Sequence, residues 1–283
     1  MNRNHAVLSQ YNETATHELL RRTTDLALDF LSTIEHRPVG ISPDRIDPRM
    51  SLRGSLPEHG EEPRLVIEAL ARAADPGLVA SNGPRYFGFV NGGSLPAALA
   101  ADWLTSTWDQ NACLHVMSPA AAGVETVVAE WLVDLFGLPA GTSVGFTTGA
   151  TMANFTALAA AGHAVFARVG WDLAEHGLGG APSIAIIVGE HAHASVLSAL
   201  QMLGFGRAGL RRVAVDDQGR MRADALRATL AAVDGPAIVC AQAGNVCSGA
   251  FDPFAAIADA VGAHGGWLHV DGAFGLWAAA TPT

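Results

Sequence analysis

From about residue 90 onward, helical patterns alternate with short segments of almost continuous apolar residues. Short apolar runs of this kind are typical of strands that are buried on both faces of a sheet. Because helical patterns of about ten or more residues separate these runs, the sheet is expected to be largely parallel, with right-handed crossovers. The alternation therefore predicts an α/β fold for this part of the chain. The predicted strands cover residues 143–147, 184–188, 211–215, 237–241 and 267–270.

The first 90 residues follow a different plan. The spacing of apolar residues predicts helices over residues 13–35 and 61–74. The segment between them, residues 37–60, is rich in Pro, Arg and Asp and has too few apolar residues for a core of its own. We expect residues 1–90 to form an N-terminal helical segment with a connector, and residues 91–283 to form one large domain. The helices predicted in that domain cover residues 96–110, 119–136, 152–176, 195–203, 222–233 and 253–264.

Composition excludes several classes of partner. The 283 residues carry a formal net charge of -10, and no run of Arg is longer than two, so the chain has no basic stripe for nucleic acid or an anionic membrane. No stretch approaches the roughly 18 apolar residues of a membrane span, and no apolar signal segment follows Met1. Three cysteines without a paired spacing are typical of a reducing compartment. We therefore expect a cytoplasmic protein whose partners are small molecules and copies of itself.

The loops after the predicted strands are candidates for one shared site, because ligands of parallel sheets bind beyond the carboxyl ends of the strands. The first of these segments, residues 145–154, passes through small residues directly into a long helix. Free N–H groups and hydroxyls at such a helix start favour an anion, so a phosphate fits there. The segment has neither the Lys of a P-loop nor the glycine spacing of a dinucleotide site, and a Thr-rich helix cap without a ligand is the alternative.

The second and third loops each offer one candidate side chain. His193 follows the predicted strand 184–188, where its ring can stack on a flat heterocycle above the sheet, and a structural histidine is the alternative. Asn245 follows the strand 237–241 and can reach a polar substituent of such a ring. A plain polar loop is the better explanation of Asn245 when this loop is taken alone.

The fourth loop is the most specific. Asp271 stands at the end of the apolar segment 267–270, where a buried carboxylate without a cation is costly. A protonated pyridine nitrogen is a suitable partner, because the ion pair keeps the ring electron-withdrawing. The small Ala273 leaves room for the ring to lie flat. These residues suggest a pyridoxal phosphate site, and an Asp that pairs with an Arg or caps the next turn is the alternative.

The chain contains no lysine, since all 17 residues counted as Lys or Arg are Arg. Enzymes that use pyridoxal phosphate hold its aldehyde on a lysine amine. This chain cannot form that bond, so we expect it to be inactive alone.

From about residue 84 to its end, the sequence resembles the group II pyridoxal-phosphate-dependent amino acid decarboxylases, which include the aromatic amino acid, glutamate and diaminobutyrate enzymes. The resemblance implies an aspartate-aminotransferase-like large domain of fold type I, with a mostly parallel sheet flanked by helices, and a homodimer. The matching stretches are residues 87–89, 96–103, 145–158, 192–196, 249–253 and 269–273.

The resemblance also implies roles for individual residues in binding the cofactor. Ala150 and Thr151 hold the phosphate, and Asp271 pairs with the pyridine nitrogen. His193 stacks on the ring and is the candidate catalytic residue. Ala273 packs beneath the ring, and Asn245 is a further cofactor-binding candidate, although relatives often carry Thr in its loop.

The reaction implied for the intact enzyme is decarboxylation of an L-amino acid to its amine and CO2. Family members continue past the residue that matches Asp271 to a His-Lys pair and a small C-terminal domain, so we expect this chain to be an N-terminal fragment that ends before both. The segment of residues 87–94 is expected to line the substrate pocket, and its aromatic character favours a bulky substrate. Another fold-type-I reaction, either transamination or aldol-type cleavage, and a pseudoenzyme that retains the site are alternatives.

A mononuclear metal hydrolase is the alternative from another class. His191 and His193 lie two residues apart, as do His269 and Asp271, so that each pair places two ligands on one face of an extended segment. Pyridoxal phosphate explains the ensemble better, and we assign no metal ligand.

Overall fold

A computed structural model describes residues 13–42 and 54–281 of the chain. By the packing of its Cα atoms, the chain forms two compact units, Met1–Trp108 and Asp109–Thr283. This division lies at a different place from the domain boundary near residue 90 expected from the sequence, and that boundary stays a prediction.

The helices begin where the sequence favours a first turn. Pro63, Pro96 and Pro119 are the first residues of their helices, where a missing N–H removes no helical hydrogen bond. Among the described residues, no helix combines the length and apolar character needed to cross a membrane. The elements are α1 (Glu13–Thr33), α2 (Pro63–Ala74), α3 (Pro96–Trp108), α4 (Pro119–Leu135), α5 (Ala150–Arg168), α6 (Leu173–His176), β1 (Ala185–Gly189), α7 (Ala194–Met202), β2 (Arg211–Val213), α8 (Ala223–Ala231), β3 (Ala237–Gln242), α9 (Phe254–His264) and β4 (Trp267–Asp271), with 3-10 turns at Asp75–Gly77 and Gly275–Ala280.

In the first unit, charged side chains connect α1 and α2. Arg22 of α1 and Arg64 of α2 both donate to Glu68, at N···O distances of 2.8 and 3.1 Å. Hydrogen bonds from these two guanidinium groups lower the pKa of Glu68, so this carboxylate stays ionised. Because solvent screens ion pairs of this kind, they orient the two helices and add little to stability.

In the second unit, four strands form one parallel sheet in the order β2-β1-β3-β4. The chain passes from each strand to the next through α7, α8 and α9 in turn. In the pairing of β3 with β4, Gln242 lies opposite Asp271, so both strands end at the same edge of the sheet. The predicted α/β fold with a parallel sheet is confirmed.

The sheet separates two apolar cores, because alternate residues of a strand point to opposite faces. Ile187 of β1 packs in one core with side chains of α8 and α9, including Leu226 and Ile257. Ile186 packs in the other core with side chains of α5 and α7, including Leu158. The central strands are thus buried on both faces, which explains their continuous apolar sequence.

Two predictions about local structure are wrong. Residues 143–147 form no strand, and they pair with no other strand among the described residues. A strand needs a neighbour to receive its backbone hydrogen bonds, and apolar composition alone does not supply one. The single helix predicted over residues 152–176 is two helices, because Gly170 adopts φ of 74° after α5 and Asp172 caps the start of α6.

Candidate active site

Asp271 is a buried carboxylate at the carboxyl end of β4, with 5% of its surface exposed. Its Oδ1 accepts the N–H of Ala273 at 3.1 Å, and its Oδ2 accepts the side-chain amide of Asn154 at 3.2 Å. Both donors are neutral. Within the part of the chain that the structure describes, no Arg or His forms an ion pair with Asp271. The site therefore contains a buried carboxylate that lacks a cationic partner.

Asn154 joins Asp271 to two further polar side chains. It lies on α5, one helical turn after Ala150, and is 4% exposed. Its Nδ2 lies 3.2 Å from Ser195 Oγ on α7, and its Oδ1 lies 2.8 Å from His269 Nε2 on β4. The two helices and the strand thus meet in one buried polar cluster, within a layer that is otherwise apolar.

His193 is the N-cap residue of α7. Its Nδ1 accepts the N–H of Ser195 at 3.2 Å and lies 2.8 Å from Ser195 Oγ. Because a backbone N–H can only donate, Nδ1 is an acceptor, and Nε2 carries the hydrogen of the neutral ring. The backbone N–H of His193 donates to Gln242 Oε1 at 3.0 Å. The residue is exposed, so the ring is anchored at one nitrogen and accessible to a ligand.

Ala150 and Thr151 form the exposed first turn of α5. Gly149 precedes them with φ of 146°, a conformation that residues with a Cβ rarely adopt. Among the described residues, no side chain caps this helix start. The free N–H groups and the dipole of a 19-residue helix favour an anion at this position. The structure thus has an uncapped helix start at this position without a preceding strand in the described part of the chain, and the phosphate contacts of Ala150 and Thr151 stay predictions.

Asn245 and Ala273 differ in how their polar groups are used. Asn245 is buried, and its Oδ1 accepts the N–H groups of Cys247 and Ser248 at 2.9 and 3.3 Å. Its side-chain oxygen therefore closes its own loop. Ala273 is exposed and uses its N–H to hold Asp271. The ligand contacts of both residues stay predictions.

Burial sets the protonation of the groups beside Asp271. It lowers the pKa of His269, an effect that the charge of Asp271 opposes only in part, so the His269 ring is neutral near pH 7. Burial raises the pKa of Cys240 to about 12, and the charge of Asp271 adds to this rise. The Cys240 thiol is therefore protonated and is not a nucleophile.

Sequence patterns gave no role to two residues that build the site. Asn154 lies on the buried face of α5 that also carries Leu158. A polar residue at a position of the apolar helical stripe is the sequence feature that could have identified it. Asp252 is buried and accepts the N–H groups of Met221 and Gln242 at 2.7 and 2.8 Å, which fixes the end of β3. No local pattern identifies Asp252, since its partners lie 31 and 10 residues away.

The alternative metal site is not assembled. No three His, Cys, Asp or Glu side chains of the described residues are grouped to hold a metal ion. Instead, His193 Nδ1 contacts Ser195, and His269 Nε2 contacts Asn154. One ring nitrogen of His193 and one of His269 are thus engaged in the polar cluster around Asp271.

Comparison with known proteins identifies the family. The model of the pyridoxal-dependent decarboxylase conserved domain matches residues 47–279. The chain belongs to the pyridoxal-dependent decarboxylase family. Tryptophan decarboxylase 1 of Oryza sativa subsp. japonica is 28% identical over 274 residues, which cover 90% of this chain and 52% of that protein. L-2,4-diaminobutyrate decarboxylase of Rhizobium meliloti (strain 1021) is 37% identical over 182 residues, which cover 63% of this chain and 34% of that protein.

Solved structures confirm the fold of this decarboxylase-family chain. Mouse CSAD superposes with a TM-score of 0.84 at 26% identity, over 95% of this chain and 57% of that one. Oryza sativa TDC with PLP and tryptamine superposes with a TM-score of 0.83 at 25% identity, over 96% of this chain and 58% of that one. The chain spans about half the length of the curated relatives Tryptophan decarboxylase 1 and Bacillus atrophaeus aromatic-L-amino-acid decarboxylase, at 52% of each.

The family consists of pyridoxal-phosphate-dependent carboxy-lyases, as the resemblance implied. Three features of this structure fit their cofactor. Within the described chain, Asp271 has no Arg or His ion-pair partner and the start of α5 has no side-chain cap, and the exposed His193 is linked through its Nδ1 to Ser195 of the polar cluster. A ring with a basic nitrogen and a phosphate complements these features.

Proposed function

We propose that the intact enzyme decarboxylates an L-amino acid to its amine and CO2 with pyridoxal phosphate, and that this 283-residue chain supplies the non-covalent part of the cofactor site. The observation that carries the proposal is Asp271. A buried carboxylate held by two neutral donors requires a cation, because burying an uncompensated charge is costly. A protonated pyridine nitrogen supplies such a cation.

Each predicted site residue has its own proposed contact with the cofactor, which follows from its position. Thr151 and the N–H of Ala150 bind the phosphate at the start of α5. His193 lies on one face of the cofactor ring, and Ala273 leaves space on the other. Asp271 holds a proton on the ring nitrogen through its negative charge. Bound in this way, pyridoxal phosphate supplies an electron-withdrawing ring that stabilises the carbanion formed when a bond at the α-carbon breaks.

The absence of lysine limits what the chain does alone. None of its 17 basic side chains is a primary amine, so it has no side chain that bonds to the cofactor's aldehyde. We propose that the 283-residue chain binds pyridoxal phosphate reversibly and has no turnover by itself.

The proposed substrate has a bulky side chain. This part of the proposal follows the aromatic character of residues 87–94 in the sequence, which favours a bulky apolar substrate over glutamate. Following the family resemblance, the proposal includes a cytoplasmic homodimer as the active form.

The cofactor assignment is tested by titrating pyridoxal phosphate into the purified chain and two variants. Asp271→Asn removes the negative charge proposed to pair with the protonated ring nitrogen, whereas Asn245→Ala removes at most a neutral hydrogen bond. We expect Asp271→Asn to raise the dissociation constant by about tenfold or more, and Asn245→Ala by less than about threefold. Equal dissociation constants for the two variants would remove Asp271 from its role.

The catalytic part of the proposal is tested by CO2 release from carboxyl-labelled amino acids. The 283-residue chain with pyridoxal phosphate is expected to release CO2 no faster than free pyridoxal phosphate does. Borohydride reduction should yield no adduct at a lysine, and peptide mass mapping separates any adduct at the α-amino group of Met1. Turnover by this chain above the free-cofactor rate would contradict the claim that a lysine is needed.

A further inference from the structure

We infer that Asn154 is the positioning residue for the carboxylate of Asp271, with the Nε2–H of the His269 ring fixing the direction of the Asn154 amide. The inference rests on the proposed function, because it concerns how Asp271 meets a ring nitrogen. All three residues are buried, with 4 to 6% of their surfaces exposed. Asn154 comes from α5, and His269 and Asp271 come from β4, 115 and 117 residues later in the sequence.

The hydrogen-bond chemistry of the cluster permits one arrangement. An ionised carboxylate only accepts hydrogen bonds, so the NH2 group of Asn154 must face Asp271 Oδ2, at 3.2 Å. The amide oxygen then faces His269 Nε2, at 2.8 Å. Since the oxygen only accepts, His269 must carry its hydrogen on Nε2. Each group thus specifies the orientation or tautomer of the next.

The second N–H of the Asn154 amide extends the cluster to α7. It donates to Ser195 Oγ at 3.2 Å, which leaves the Ser195 hydroxyl hydrogen for His193 Nδ1 at 2.8 Å. One amide therefore touches the carboxylate directly and the exposed His193 ring through a single hydroxyl. This places Asn154 between the two residues proposed to contact the cofactor ring.

Asn154 determines the orientation of the Asp271 carboxylate and does not change its charge. One oxygen of Asp271 is held by the N–H of Ala273 and the other by Asn154, so the plane of the carboxylate is set from two sides. If Asn154 is removed, Oδ2 loses its donor while the charge remains. The expected result is a carboxylate that still attracts a cation but is less precisely aimed at a ring nitrogen.

The test compares two ligands that differ only at the ring nitrogen. Equilibrium dialysis measures binding of pyridoxal phosphate and of its analogue with carbon in place of that nitrogen, to the 283-residue chain and its variants. We expect Asn154→Leu, which keeps the side-chain size, to reduce the preference for pyridoxal phosphate by about tenfold and to leave binding of the carbon analogue nearly unchanged. Thr156→Ala is the control on α5, because the exposed Thr156 hydroxyl donates to the Met152 carbonyl, within its own helix.

The variants separate failure of the inference from failure of the proposed function. If Asp271→Asn keeps the preference for pyridoxal phosphate, or if the chain binds neither ligand, the proposed function fails. If Asp271→Asn removes the preference and Asn154→Leu does not, only the role of Asn154 is overturned. An equal loss of both ligands in Asn154→Leu would mean a purely structural role and would also overturn it.

Nitrogen NMR of the ligand-free chain tests the contact without any cofactor, even if Asn154→Leu does not fold. The His269 resonance is assigned by its loss in His269→Gln. We expect it to show a neutral ring with hydrogen on Nε2. A ring with its hydrogen on Nδ1 would contradict the arrangement and overturn the inference.

Discussion

Two consecutive regions of the second unit have similar apolar composition but differ in burial. In residues 109–149, the outer region, Ser118 is the one buried residue, and α4 exposes Val124, Trp131 and Leu135 by 63%, 68% and 46%. In residues 150–281, the sheet region, α5 alone buries six residues. A helix with apolar residues becomes part of a core only where another layer offers a complementary face.

The sheet region owes its burial to its strands. Each central strand presents alternate side chains to the helix layers on the two faces, so that Ile186 and Ile187 of β1 lie in different cores. In the outer region, the predicted strand of residues 143–147 does not form, so no strand among its described residues presents side chains to a helix layer. The proposed cofactor site draws its buried groups from the sheet region, where the backbone is held on both sides.

The largest expected difference between the regions is in stability. Leu158→Ala removes a fully buried side chain of α5 and is expected to lower the free energy of unfolding by about 3 kcal/mol, through lost burial and a residual cavity. Leu135→Ala makes the same chemical change on exposed α4 and is expected to cost less than about 0.5 kcal/mol. Urea denaturation of both variants measures the difference, and similar losses would mean that α4 is packed in solution.

A smaller effect, on cofactor binding, is expected for a substitution at the exposed start of α5 in the sheet region. Thr151→Ala removes a hydroxyl proposed to contact only the phosphate, so it should weaken pyridoxal phosphate binding by about fivefold. Binding of unphosphorylated pyridoxal should be almost unchanged. Parallel titrations with both ligands make the comparison, and equal losses for the two would move Thr151 out of the site.

The smallest expected effect is on the pH dependence of the free energy of unfolding. It distinguishes a buried histidine from an exposed one. Burial lowers the pKa of folded His269, so the unfolded chain binds a proton more readily than the folded chain does. Stability from the neutral ring is therefore complete above the unfolded pKa of about 6.5 and is lost as the pH falls through the lower folded pKa. His269→Gln keeps a donor for Asn154 and should weaken this pH dependence in urea denaturation.

The matched control for that experiment lies in the outer region. His115 is exposed, and His115→Gln makes the same change of residue type. If the two variants alter the pH dependence of the unfolding free energy equally, burial of His269 is not its source.

The sequence alone predicted the four strands of the sheet and the family's cofactor. Short apolar runs separated by helices predicted β1 to β4 within a residue or two, because a strand covered on both faces must be apolar throughout. Asp271 could be recognised because a carboxylate at the end of such a strand breaks the apolar pattern. Thr151 and His193 stay predictions from the rule that ligands gather at strand ends, and no strand precedes Thr151 among the described residues.

Only the tertiary structure decided which side chains meet. Asn154 and His269 are separated by 115 positions, and Asn154 and Asp271 by 117, so no local pattern pairs them. The structure also showed that residues 143–147 remain unpaired and that the Asn245 oxygen closes its own loop. The physical reason is the range of the interactions. Backbone propensity and apolar periodicity act over a few neighbouring residues, whereas hydrogen-bond partners and strand neighbours are chosen when distant segments pack together.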